Sequence, residues 1–178
     1  MRARSAPTVG VVPVLLRDFT EADDPRILQT AADPGTRLWN PFKPADDPVA
    51  WRAKIADGVT RTFAITDASD VLLGTIALFD VDHEQGTVEL GYRVHPDARG
   101  RGVGTAAVRA ACAVAFGELG LRRVMLYHAV ANPASCRVAE RAGFALEGTL
   151  REGYVYGDGR AYDEHLHGLL SSDPLSSP

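Results

Sequence analysis

Cysteine is scarce in this chain: 178 residues hold only Cys112 and Cys136. Two thiols exclude a disulfide scaffold and show no metal-ligand spacing, so the expectation is a pair of reduced cysteines in a cytoplasmic protein. Long hydrophobic runs are missing too, and none approaches the roughly 20 apolar residues of a membrane span. Positive charge is not in excess, with 19 Lys and Arg against 23 Asp and Glu and a net charge of −4. That balance argues against a surface built to follow nucleic-acid phosphates or anionic lipid. What is present is ordinary globular composition, 46% hydrophobic and 24% charged, which excludes disorder. The length suits one α/β domain, expected over residues 9–170, with flexible tails at 1–8 and 171–178.

Arg2 and Arg4 precede the apolar stretch from Val9 to Leu16. Pro13 interrupts it and no small-residue cleavage site follows, so a β-strand behind a frayed terminus is expected, not a signal peptide. A helix should open at Glu21 to Asp24, bury Ile27 and Leu28, and stop at Asp33-Pro34-Gly35. Thr36 to Asp47 is proline-rich and reads as loop, and Pro48 to Ala56 as a second helix. Thr62–Thr66, Val71–Asp80 and Thr87–Val94 are strands with short polar connections, hence an antiparallel meander. A long alanine-rich helix is predicted from Gly104 to Gly120, then a strand from Arg123 to Val130 and a helix from Pro133 to Ala142. Gly157-Asp158-Gly159 joins a final hairpin, Phe144 to Tyr156 and Arg160 to Leu169.

The most informative stretch is the turn between the third of those strands and the long helix. It holds Arg99, Gly100, Arg101, Gly102, Val103, Gly104 and Thr105. Unpaired backbone N–H groups at a helix start, free of side chains and joined by the helix dipole, make a donor array for phosphate. The alternative is a plain turn with solvated arginines. A P-loop needs Lys and Ser or Thr after the last glycine, whereas Thr105-Ala106 stands here. Gly102-x-Gly104-x-x-Ala107 matches the dinucleotide fingerprint, but the preceding meander and the strand ending in Ala131-Asn132 break its context.

Arg99-x-x-Gly102-x-Gly104 resembles the acetyl-CoA pyrophosphate motif of the GNAT N-acetyltransferases. Asn132-Pro-Ala-Ser-Cys-Arg-Val-Ala-Glu-Arg-Ala-Gly-Phe144 resembles the second signature of that family, closest to its RimJ/RimL branch, which acetylates protein N-terminal amines. The resemblance implies a mixed, mostly antiparallel central sheet flanked by helices, with acetyl-CoA as cosubstrate. It implies direct attack on the thioester by a primary amine, on a protein or peptide N-terminus or a small molecule. No metal, nucleic acid or membrane partner is expected, and a homodimer is admitted.

An amine nucleophile is mostly protonated at neutral pH, so a base is needed, while a thiol leaving group needs little help. Glu89 is the candidate base, since strand alternation sets Glu89, Gly91 and Arg93 opposite Val88, Leu90 and Val94. A solvated sheet-face carboxylate is its bland alternative. The resemblance gives the Val94 backbone to the acetyl carbonyl as an oxyanion-type donor, and places His95 beside it. Asn132 is a helix N-cap by position and a pantetheine ligand by resemblance. Many members carry a tyrosine seven residues after that asparagine, but this chain has Ala139, which leaves Ser135 as the candidate acid. Arg137 is a candidate for a CoA phosphate, with a plain exposed helix arginine as the equal alternative. Trp39, Phe42 and Tyr154 are candidate acceptor-wall residues along with Glu89, and Trp51 suits the wall or the core equally. His83, His95, His128, His165 and His167 show no ligand pattern and are expected at the surface. A silent acyl-CoA-binding module stays open beside the enzyme.

Overall fold

The computed structural model describes residues 13–40, 48–55 and 60–174. Its centre is one seven-stranded sheet in the order β1-β2-β3-β4-β5-β7-β6. The strands are β1 (Leu15–Arg17), β2 (Arg61–Thr66), β3 (Leu72–Asp82), β4 (Thr87–Val94), β5 (Arg123–Ala129), β6 (Ala145–Val155) and β7 (Ala161–Leu170). The helices are α1 (Asp24–Ala32), α2 (Pro34–Trp39), α3 (Pro48–Ile55), α4 (Val103–Ala113) and α5 (Pro133–Ala142). Every strand pair is antiparallel except β4–β5, so the expected meander over β2, β3 and β4 is present.

Two apolar layers sandwich the sheet. On one face Ile76, Leu78, Val88, Leu90 and Leu126 pack under α4, whose buried Val103, Ala107, Val108 and Ala111 recur at helical spacing. On the other face a smaller cluster of Ile27, Ala64 and Leu72 is covered by Phe19 and Trp51, whose rings meet edge-on at 5.0 Å. Trp51 is thus tied to core packing. Leu28 is only half-buried, while Ile27 is fully buried.

Three expectations need correction. Asp33-Pro34-Gly35 ends α1 but immediately starts α2, so Thr36 to Trp39 is helical and not loop. Asp33 is the cause: its carboxylate accepts from the Thr36 N–H at 2.8 Å, and Pro34 fills the first helical position, where no N–H is required. The long helix is α-helical only to Ala113 and then widens into a π-turn over Val114–Glu118, with Leu119 N–H donating to Val114 O at 3.1 Å. Finally His95, His128 and His167 are buried, at 5%, 4% and 0% exposure, because their ring nitrogens find partners inside the fold in Gln29, the Ala129 carbonyl and one another. Phe42 lies outside the described residues.

Candidate active site

Strands β4 and β5 run parallel for only three pairs, Thr87↔Arg123, Val88↔Val124 and Glu89↔Met125. Beyond Glu89 they part, and the gap opens a cavity of about 500 Å³ that reaches from α2 to α5. β4 nevertheless keeps its ladder to β3 as far as Val94. In an antiparallel ladder alternate residues turn both N–H and C=O to the same side. The Tyr92 carbonyl accepts from Asn40 Nδ2 at 3.0 Å and the Val94 carbonyl from Arg99 Nε at 3.1 Å, so both residues face away from β3. Their N–H groups therefore point into the gap. This is the position a carbonyl oxygen needs if it is to be polarised by backbone donors.

The phosphate end follows β4 directly. Gly100 and Gly102 hold φ of +73° and +80°, a region that L side chains rarely adopt, and Gly102 caps α4. Gly104 is needed for a different reason. A Cβ there would sit 3.2 Å from a Val138 methyl and 3.3 Å from the Tyr92 ring. Gly102, Val103, Gly104 and Thr105 all line the cavity, as does Arg99. The Arg99 guanidinium is partly committed, to Asp33 at 2.5 Å and Thr36 Oγ1 at 3.1 Å, and it holds the Asp33 carboxyl below the usual range against the opposing effect of burial. Arg101 is exposed and forms no ion pair among the described residues. Arg137 lines the cavity from α5, and so does Arg141, which the sequence reading missed. Their four-residue spacing on one helix is the signal that could have paired them.

At the α5 end Asn132 Oδ1 accepts from the Ser135 N–H at 3.4 Å, as an N-cap should. Ser135 Oγ lies 3.2 Å from the hydroxyl of Tyr92. Tyr92 is the second residue the sequence reading missed, since alternation assigns it merely to the face of Val88, Leu90 and Val94. Burial pushes its phenol up to about 12, so it stays protonated. Ala139 is buried and offers no acid.

Glu89 does not line the cavity. It sits at the closed end of the gap, the last residue of β4 paired to β5. Burial, with lesser repulsion from Asp80 and Glu164, raises its carboxyl to about 7. His95 is elsewhere: Nδ1 faces Asp97 at 2.7 Å and Nε2 faces Gln29 at 3.0 Å, so its side chain braces the turn from behind.

On the opposite face of the sheet, Trp39 ends α2 and lines the cavity together with Tyr156. Their rings meet edge-on at 5.6 Å, Tyr162 joins at 5.5 Å from Trp39, and Tyr154, 54% exposed, meets Tyr156 edge-on at 5.1 Å. Tyr156 donates to the buried Glu164 at 2.7 Å. Arg93, whose pKa burial lowers to about 10, donates to Asn40 Oδ1 at 2.7 Å and ties β4 to the end of α2.

A parted parallel pair, backbone donors in the gap and a glycine cradle at the following helix define an acyl-CoA N-acyltransferase fold. The family model described as "Acetyltransferase (GNAT) domain" matches residues 14–145. The chain belongs to this family, whose reaction is acetyl transfer from acetyl-CoA to an amine. It is 37% identical over 125 residues to a putative ribosomal N-acetyltransferase of Bacillus subtilis, covering 69% of this chain and 66% of that protein. It is 29% identical over 122 residues to spermidine N(1)-acetyltransferase of Vibrio cholerae, covering 68% of this chain and 70% of that one. The chain thus spans about two thirds of the length of these relatives. The fold matches spermidine N-acetyltransferase from Vibrio cholerae in complex with CoA and spermine at a TM-score of 0.79 and 24% identity, over 90% of this chain and 96% of the other. Among the described residues, no helix is long and apolar enough to cross a membrane.

Proposed function

We propose that residues 9–170 form one N-acetyltransferase domain that moves the acetyl group of acetyl-CoA to a primary amine in a ternary complex. The observation that carries this reading is the parted β4–β5 pair, with Glu89 at its closed end and the Gly102–Gly104 cradle at its open end. Acetyl-CoA lays its phosphates on the N–H groups at the start of α4, near Arg99, Arg101 and Arg137, and runs its pantetheine arm past Asn132. The Val94 N–H polarises the thioester carbonyl. A carboxyl raised to about 7 accepts a proton at neutral pH far better than an ordinary one, so Glu89 deprotonates the incoming ammonium through water. The amine then attacks the carbonyl carbon, the C–S bond breaks, the thiolate takes a proton from the Ser135–Tyr92 hydroxyl pair, and the second proton that the nitrogen sheds in becoming an amide returns through water to that pair.

The acceptor is a cationic primary amine, a peptide α-amine or an aliphatic polyamine, received against Trp39 and Tyr156. Trp39 and Tyr154 offer ring faces that attract ammonium groups, and the net charge of −4 favours their approach. The same reading places the protein in the cytoplasm, where acetyl-CoA and the two free thiols belong. Self-association is assigned to the sheet edge β6, which exposes Leu146, Leu150, Tyr154 and Val155.

Thiol release from acetyl-CoA is measured against peptides with free N-termini and against di- and polyamines. Turnover with at least one of these classes is expected. Thermal stabilisation by acetyl-CoA without thiol release from any amine would instead identify a silent acyl-CoA-binding module.

A further inference from the structure

We propose that His128, His165, His167 and Cys136 form a binding site for a single zinc-class divalent cation, between the sheet and α5. One ligand atom from each of the four side chains lies within 4.8 Å of the others. No spacing in the sequence announces the group, because it is assembled from three elements. His128 on β5 stands directly opposite His165 on β7, and His167 follows two residues along the same face. Cys136 comes down from the first turns of α5.

The nitrogen chemistry points to a cation and not to simple packing. The main-chain oxygen of Ala129 lies 2.9 Å from His128 Nδ1, which fixes the proton on Nδ1 and turns the Nε2 lone pair inward. Such a hydrogen bond on the remote nitrogen is the usual support of a metal-ligating histidine. His128 Nε2 and His167 Nε2 are 3.1 Å apart. Two nitrogens on a tetrahedral ion with bonds of ~2.0 Å are separated by roughly 3.3 Å, so this pair already has the required spacing. His167 is fully buried, and His165 Nδ1 is buried without a hydrogen-bond partner. Three imidazoles are crowded into a space that satisfies only some of their nitrogens.

Three imidazoles and a thiolate form a borderline donor set that suits a tetrahedral d¹⁰ ion and not calcium or magnesium. The Cys136 thiol donates to Glu140 at 3.6 Å. On coordination the S–H bond is replaced by an S–metal bond, and one proton leaves by way of Glu140 to water. All four positions are then filled by protein, which makes the site structural: it fastens α5 to β5 and β7 behind Asn132 and Ser135. The proposal is independent of the acceptor and of catalysis.

Tag-free full-length protein is stripped with a chelator and titrated with zinc in competition with a chromophoric chelator. One ion per chain and a raised Tm are expected. Cobalt should give the visible absorption of a tetrahedral centre plus a thiolate-to-cobalt charge-transfer band. Cys136→Ser should remove that band, and His165→Ala should weaken zinc binding by at least about tenfold, with both variants still stabilised by acetyl-CoA. His83→Ala should change nothing. Substoichiometric binding, no charge-transfer band, or zinc affinity unaltered in both variants would overturn the site.

Discussion

Replacing Glu89 by glutamine should make the protein more stable and less active at once. The carboxyl is held at about 7 against an ordinary 4.5, chiefly because ionising it means charging a desolvated group. The folded state therefore binds this proton more tightly than the unfolded state between those two values. By linkage, stability falls as pH rises from about 4.5 to about 7 and stays reduced above that. The displacement corresponds to about 3 kcal/mol as an upper bound, nearer 1–2 once the half-buried setting is allowed for. Glu89→Gln removes this penalty without changing shape. Urea unfolding should then show the variant about 1–2 kcal/mol more stable than the parent at pH 8 and indistinguishable from it at pH 4. Activity should move the other way. The parent's kcat/KM should rise with pH through about 7, and the variant should lose that limb with a drop of ~10²–10⁴-fold. Parallel stability curves at both pH values would refute the burial argument. A retained rate with an unchanged pH profile would remove Glu89 from the chemistry.

Other perturbations separate the remaining parts of the site. Gly104→Glu drives a charged side chain into Val138 and the Tyr92 ring, and calorimetry should find acetyl-CoA binding abolished; near-normal affinity would reject the cradle. Ser135→Ala should lower kcat with little change in acetyl-CoA affinity, and Tyr92→Phe should match it if the 3.2 Å contact carries the leaving-group proton. The double variant should then cost no more than either single change, which a double-mutant cycle measures. Trp39→Ala should raise the acceptor KM while leaving the acetyl-CoA KM in place, and an equal rise in both would contradict its position on the acceptor side.

Much of the fold was legible because it rests on local chemistry. Alternation over Thr87–Val94, the glycine turn after it and the Asn132-Pro133 cap each declare themselves within a few residues. Misreadings arose where one residue serves two elements or where distant segments meet. Asp33 looked like a terminator because aspartate, proline and glycine commonly end helices, and here aspartate and proline also begin one. Tyr92 was passed over since a strand tyrosine has no catalytic signature until a hydroxyl from α5 is placed 3.2 Å away. His128 and His167 were assigned to the surface because their burial depends on β5 lying beside β7. Conversely His95, attractive by its place in the strand-turn-helix stretch, turns its imidazole to Asp97 and Gln29.

The early parting of β4 and β5 separates what the fold must keep from what can be exchanged. A sheet normally separates the two layers it carries, yet here a single gap is open to both. The floor on one side is main chain and glycine, which tolerates almost no replacement. The wall on the other is built from the end of α2 and the β6–β7 hairpin, including Trp39, Asn40 and Tyr156. Those segments lie at the periphery, so replacements there leave the glycine turn untouched. On the proposed reading, a few peripheral substitutions would exchange one amine acceptor for another without disturbing the half that holds acetyl-CoA.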